Sequence, residues 1–268
     1  MDQTADIDDF ARLLKRLHLP TIARLSGIFA ERAAREGWSH QHYLEALVME
    51  EVNTRNTTRI QTAARRARFP ALKTIEEYDF VFQSSIRRAA LGPFLDPDFV
   101  ATGRSLVLSG RIGTGKTHLC IGIAYKAIQY GHDARFVAAR DLIDELAAAA
   151  HEERLREATA AYLQPDVLVI DELGYLAHAA TAANVLYGVI DGRYLERRPV
   201  LITTNKPLSQ WGSVLHDPQL AEAIIDRLLE RGTHIELNGR SYRTRHLAPP
   251  KDGLNATAQV ALAAEAAP

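Results

Sequence analysis

Apolar side chains recur at helical intervals through the first part of the chain and gather into short runs through the rest. Phe10, Leu13, Leu14 and Leu17 stand at i, i+3, i+4 and i+7, which predicts an amphipathic helix N-capped by Asp8 and ended before Leu19-Pro20. Pro20 opens a second helix whose face carries Ile22, Leu25, Ile28 and Phe29 and which Gly37 stops. Ser39 caps a third, with Tyr43, Leu44, Leu47, Val48 and Val52 on one side. The pattern then changes. Leu106–Leu108, Arg135–Ala138, Val167–Ile170, Val200–Thr203 and His234–Leu237 are apolar runs separated by helical patterns, the signature of an α/β domain with a mainly parallel sheet. Phe69-Pro70 breaks the helical region, so residues 1–73 form a small all-α N-terminal domain and 74–248 the α/β domain. Tyr78, Phe80 and Phe82 fall in the connector and are expected to pack on the domain that follows. The Ala-rich stretch 249–268 lacks aromatic residues and reads as a disordered tail.

Composition narrows the picture modestly. The chain has 268 residues, of which 47% are hydrophobic, enough to build a substantial core. A net charge of −1 does not announce a nucleic-acid binder, so any such role must rest on local charge. Local charge exists. Between Val52 and Ile75 there is no acidic residue, while Arg55, Arg59, Arg65, Arg66, Arg68 and Lys73 accumulate. If the third helix continues through this stretch, Arg55, Arg59 and Arg66 fall within about 40° of one another at ~100° per residue. Such a run is either a solvated face or a surface for nucleic-acid phosphates, and the acid-free length favours the second. The single cysteine, Cys120, excludes an internal disulfide and reads as a small core residue. With no signal peptide and no apolar run of the ~18 residues that a membrane helix needs, a cytoplasmic protein without membrane contact is expected.

The chemistry concentrates after the first strand run. Gly110-Arg111-Ile112-Gly113-Thr114-Gly115-Lys116-Thr117 matches the phosphate-loop pattern G-x-x-x-x-G-K-[ST] at every fixed position, and His118 follows it. Loop N–H groups and a helix N-terminus would face phosphate oxygens, Lys116 would reach the β- and γ-phosphates, and the Thr117 hydroxyl would ligate Mg²⁺. The run Val167-Leu168-Val169-Ile170 ends in Asp171 and Glu172. Asp171 would hold Mg²⁺ through water, with Glu172 as general base for an attacking water. Val200–Thr204 ends in Asn205, which either contacts the γ-phosphate and lytic water or merely turns the chain. Asn205-Lys206-Pro207-Leu208 approaches the guanine-reading N-K-x-D motif but has leucine where the aspartate must accept hydrogen bonds, so guanine specificity is not expected. Arg227 follows Asp226 on an amphipathic helix, where alone the pair would be an ordinary surface one, and Arg243 offers a planar cation after the last strand.

The order of G-R-I-G-T-G-K-T, V-L-V-I-D-E-L-G-Y, L-I-T-T-N, I-I-D-R-L-L and G-R-S-Y-R, behind a basic segment containing R-F-P-A-L-K-T-I-E-E-Y-D-F, resembles the IstB family. These are ATP-binding transposition helpers of insertion sequences, related to DnaC-type helicase loaders and AAA+ ATPases, and the likeness runs from Leu13 to His246. It implies an AAA+ P-loop sheet of order 5-1-4-3-2, ATP and Mg²⁺ as cofactors, a homo-oligomer that assembles on duplex DNA, and delivery of that DNA to a transposase of the same element. It also implies Asn205 as the first sensor, Arg227 as an arginine finger acting on a neighbour's ATP, and Arg243 as a second sensor. Too little chain follows Arg243 for the usual helical lid, which weakens that last assignment. A DnaC-like helicase loader is the alternative function. A small-molecule kinase, a third reading, fits the strand-end acid pair less well.

Overall fold

A computed structural model describes residues 3–174 and 182–246. Three helices come first, α1 (Gln3–Arg16), α2 (Pro20–Glu36) and α3 (His40–Arg66). Helix α1 starts upstream of Asp8, which therefore lies inside it and does not cap it: residues 3–7 contain no Gly or Pro that would hold the helix back. Gly37 ends α2 in the left-handed conformation, and the Ser39 side chain accepts from the His42 N–H at the start of α3, as the sequence predicts. Leu19 cannot cap α2. The buried Glu51 carboxylate on α3 does so instead, accepting from the N–H groups of Thr21 at 2.8 Å and Ile22 at 3.1 Å. Leu14, Ile22 and Leu47 form the small core of this layer. Much of the apolar pattern stays outside that core: Phe10, Leu13, Leu17, Ile28, Leu44, Val48 and Val52 are between 46% and 65% exposed. Three helices meeting in one small seam bury only the inner edge of stripes that periodicity makes wider.

After the short helices α4 (Gly92–Leu95) and α5 (Phe99–Thr102) come β1 (Leu106–Gly110), α6 (Lys116–Gln129), β2 (Ala134–Ala138), α7 (Ala139–His151), α8 (Leu155–Leu163), β3 (Val167–Asp171), α9 (Ala182–Leu195), β4 (Val200–Thr203), α10 (Trp211–Leu215), α11 (Pro218–Glu230) and β5 (Thr233–Leu237). All pairings are parallel, in the order β2-β3-β4-β1-β5, which is 5-1-4-3-2 read from the other edge. Both faces are covered, so the central strands are apolar on both sides. Leu106, Leu108, Val167, Val169 and Leu201 pack against α6, Ala63 and Ala67 at the end of α3, and the connector residues Ile75 and Tyr78. Val107, Leu168, Ile170, Val200 and Ile202 pack against α7 to α11. Cys120 is fully buried in the first of these layers, where burial pushes its thiol well above the ordinary range. Residues 249–268 lie outside the described residues. Among the described residues no helix is long and apolar enough to cross a membrane.

One buried cation fastens the far edge. Arg193 on α9 is fully buried and donates to the carbonyls of Tyr162, Pro165, Asp166 and Pro199 at 2.8–2.9 Å. Burial pushes its pKa down to about 9, still above neutrality, so five backbone carbonyls, Leu163 included, share one guanidinium charge.

Candidate nucleotide site

A parallel sheet opens a crevice at the carboxyl ends of its strands where the connections change direction. Here β1 sends its crossover to the distant β2, while β4 crosses β1 to reach β5. A cavity of about 610 Å³ lies there, lined by Pro70–Lys73, Tyr78, the phosphate loop, Glu172, Thr203–Asn205, Tyr242 and Arg243. That volume suits a drug-sized ligand, for which sites run roughly 300–1,000 Å³.

The loop between β1 and α6 is shaped by backbone that only glycine adopts without strain. Gly113 has φ +81, and a side chain there would strike Ser241; Gly115 has φ +87, and an added Cβ would lie 2.6 Å from the Tyr78 ring. Thr114 Oγ1 donates to the Arg111 carbonyl at 2.9 Å, and the Tyr78 hydroxyl donates to the Thr114 carbonyl at 2.9 Å, so the loop is braced from within and from the connector. Gly115 supplies no side-chain cap to α6, and its first-turn N–H groups are left for an anion. Lys116 Nζ donates to the carbonyls of Gly110 and Arg111, each at 2.8 Å. An ammonium has three donors, so one remains for a phosphate oxygen. Burial lowers the Lys116 pKa, Asp171 and Glu172 oppose that shift, and Arg243 adds to it.

Opposite the loop, β3 is buried along its whole length and ends at Asp171, just behind the cavity-lining Thr117 and Thr203. Asp171 Oδ1 accepts from Thr117 Oγ1 at 2.8 Å and from Thr203 Oγ1 at 2.5 Å. Because the Thr117 proton is committed to Asp171, the lone pairs of that hydroxyl are free for a cation, and the donor set fits Mg²⁺. A phosphate-bound Mg²⁺ needs only one or two protein oxygens, and among the described residues no group of three or more His, Cys, Asp or Glu forms a cage. Glu172 follows with φ +60, uncommon for a residue with a Cβ, and its side chain is exposed to the cavity. Asn205 completes this wall; its Oδ1 is buried and has no hydrogen-bond partner among the described residues. That oxygen faces Gly174, where an added Cβ would lie 2.4 Å from it, so the atom is turned away from the cavity space.

The connector was underestimated by sequence reading. Tyr78 and its neighbours do pack on the α/β domain, and they also form a wall of the cavity: the Tyr78 ring meets His118 edge-on at 5.4 Å between centroids. His118 Nε2 lies 2.8 Å from the Thr74 carbonyl. Thr203 was likewise passed over as strand. The Y-D-F cluster at 78–80, well upstream of the phosphate-loop strand, is the available signal for the first, whereas nothing in the apolar run marks the second.

The remaining expected residues separate. Arg243 lines the cavity, beside Tyr242, whose N–H donates to the Gly113 carbonyl at 2.8 Å. Arg227 does not. It stands near Ser105 and Val200, at the amino ends of the strands, and its Nε pairs with Asp191 on α9, not with a base-seeking Asp226. Its guanidinium also lies 4.8 Å from the Tyr187 ring centroid. Of the basic run, Arg55 bonds Glu51 and the His18 carbonyl, and Arg59 donates to the carbonyls of Ile128 and Gln129 at the end of α6. Lys73 lines the nucleotide cavity. Arg65, Arg66 and Arg68 are exposed around the end of α3.

Comparison with known proteins gives the same picture. The profile of one family, described as IstB-like ATP binding protein, matches residues 12–248. The chain is 36% identical over 230 residues to the ATP-binding protein of insertion sequence IS5376 from Geobacillus stearothermophilus, covering 86% of this chain and 91% of that one. It is 33% identical over 233 residues to the IS21 counterpart from Pseudomonas aeruginosa, covering 87% and 88%. Among solved structures it is similar in fold to the DnaC helicase loader, with a TM-score of 0.53 and 22% identity over 64% of this chain and 99% of that one. AMPPCP-bound DnaA from Aquifex aeolicus is similar at a TM-score of 0.53 and 17% identity, over 67% of this chain and 54% of that one. With a parallel sheet of order 5-1-4-3-2, a cavity between the phosphate loop and Glu172, and a profile match spanning both helical and α/β regions, the chain belongs to the IstB-like family of insertion-sequence ATP-binding proteins.

Proposed function

We propose that the protein is a DNA-stimulated ATPase that assembles on duplex DNA as a homo-oligomer and presents that DNA to the transposase of its insertion sequence. One observation carries the hydrolytic part: the Thr117 and Thr203 hydroxyls converge on Asp171 at 2.8 and 2.5 Å, with Glu172 next in the chain and Asn205 on the same cavity wall. The Glu172 carboxylate accepts a proton from water as the water oxygen bonds to the γ-phosphorus. The bond from that phosphorus to the β–γ bridging oxygen breaks, releasing ADP and inorganic phosphate. Asn205 lines the same wall and is the further polar side chain placed to contact the γ-phosphate or that water. When bound, Mg²⁺ neutralises phosphate charge, with Thr117 and Asp171 as its protein contacts.

The DNA and transposase parts rest on the family, whose relatives are named for insertion sequences, and on the exposed arginines around the end of α3. Similarity to helicase loaders below 25% identity speaks for the fold alone and supports no separate loader function. The test is phosphate release by the full chain with Mg²⁺ and ATP, with and without duplex DNA. Release that rises several-fold with duplex is expected. ATP that binds but is never turned over under either condition overturns the reading.

A further inference from the structure

The Glu172 backbone sits in the left-handed region at φ +60, a conformation that a residue with a Cβ keeps only where its surroundings impose it. The imposing contacts come from one residue across the sheet. Thr203, the last residue of β4, is 1% exposed. Its Oγ1 accepts from the Glu172 N–H at 2.9 Å and donates to Asp171 Oδ1 at 2.5 Å, while its carbonyl accepts from the Leu173 N–H at 2.9 Å. Three successive residues of the β3 exit are thus tied to a single threonine. The neighbouring hydroxyl does none of this: Thr204 Oγ1 turns away to the Lys206 backbone. The hydroxyl proton is committed to the carboxylate, so a lone pair must face the Glu172 amide, and the two acids are locked in register with each other.

We propose that Thr203 is the positioning residue for Glu172: its hydroxyl holds the left-handed turn that aims the general base into the cavity. The proposal rests on the hydrolytic reading for its consequence, though not for its geometry. Thr203→Val keeps the shape and removes the hydroxyl; Thr203→Ser keeps the hydroxyl and removes a methyl. A displaced catalytic group costs on the order of 10²-fold in rate. Thr203→Val should therefore lose about that factor in kcat while its KM for ATP stays within about threefold, and Thr203→Ser should restore most of the rate.

A second measurement needs no turnover. Hydrogen exchange at the Glu172 amide should quicken by about tenfold in Thr203→Val, the ratio expected for one net hydrogen bond, and stay slow in Thr203→Ser. If the valine variant does not fold, Thr203→Ala against Thr203→Ser makes the same comparison, since the two differ only in the hydroxyl. Equal exchange and equal kcat with and without the hydroxyl overturn the proposal. So does a defect that saturating Mg²⁺ removes, because the hydroxyl would then serve Asp171 alone. A wild-type chain without ATPase activity overturns the hydrolytic reading instead, and amide exchange still decides the role of Thr203.

Discussion

Lys116 and Glu172 face the same cavity and divide its work. The lysine has two of its donors on loop carbonyls and one left for phosphate, and on the proposed reading it holds the nucleotide in every state. Glu172 touches no part of the loop's internal bonding, and on the same reading it acts when water is deprotonated. Lys116→Ala should abolish detectable ATP binding, whereas Glu172→Gln should bind ATP with wild-type affinity and lose about 10²-fold or more in turnover. Equilibrium binding of a fluorescent ATP analogue, paired with single-turnover hydrolysis, separates the two. Near-normal turnover by Glu172→Gln would remove it from the base role. Asn205 is legible as a strand-end polar residue; its place on the cavity wall with Glu172 is what the tertiary structure adds.

Helix α3 joins the two parts of the molecule. Near its middle, Glu51 caps α2; toward its end, Arg59 caps the phosphate-loop helix α6, and Ala67 just beyond it accepts from the Phe136 N–H of β2 at 2.7 Å. The Glu51 carboxylate is buried, which would raise its pKa, but the Ile22 N–H, Arg55 and the Thr21 N–H outweigh burial and lower it. A carboxylate with a lowered folded pKa contributes stability above the ordinary glutamate range near 4.3, and that contribution is lost as pH falls through the folded value. Thermal melts should therefore show the wild type more stable than Glu51→Gln at pH 7, with the margin shrinking as pH drops below about 4. A margin independent of pH would mean the cap does not depend on charge.

The same helix bears on DNA. Periodicity placed Arg55, Arg59 and Arg66 on one face, yet two of these are occupied within the chain. The exposed set is Arg65, Arg66 and Arg68, and neutralising these three should weaken binding to any duplex. Each lost phosphate contact should lower the log–log salt slope by about 0.9. Salt titrations of the triple variant that overlay the wild type would leave this end of α3 a solvated surface.

For the whole molecule, the position of Arg227 is the telling feature. It lies at the amino edge of the sheet, away from the cavity at the carboxyl edge, so it cannot serve its own nucleotide without leaving Asp191. We propose a trans role for it in an assembly, where an arginine finger contributes on the order of 10³-fold in rate. Arg227→Ala should keep ATP binding and lose DNA-stimulated hydrolysis. Mixing it with Lys116→Ala should restore part of the activity, because each variant supplies what the other lacks at a mixed interface. Mixtures that co-assemble yet never exceed the sum of their parts would assign Arg227 to holding α11 against α9 through Asp191.

The sequence by itself determined what depends on local pattern. Strands, the phosphate loop and the acid pair are each written in contiguous residues, and the caps at Gly37 and Ser39 follow from backbone conformation and side-chain reach. The sheet order was reached through family resemblance, not periodicity. What only the tertiary structure decided is partnership between distant residues. Helical periodicity marked Phe10, Leu13 and Leu17 as readily as Leu14, yet burial depends on how much neighbour is present, and only Leu14 found it. Thr203 ends an apolar run and Arg193 stands in a mixed helical segment, neither with a mark of its own. The first gains its role from residues 31 and 32 positions away in the chain, and the second from carbonyls up to 31 positions away. Hydrogen bonds of that kind join polar groups stranded by packing, and packing is a property of the assembled layers, not of any stretch of chain.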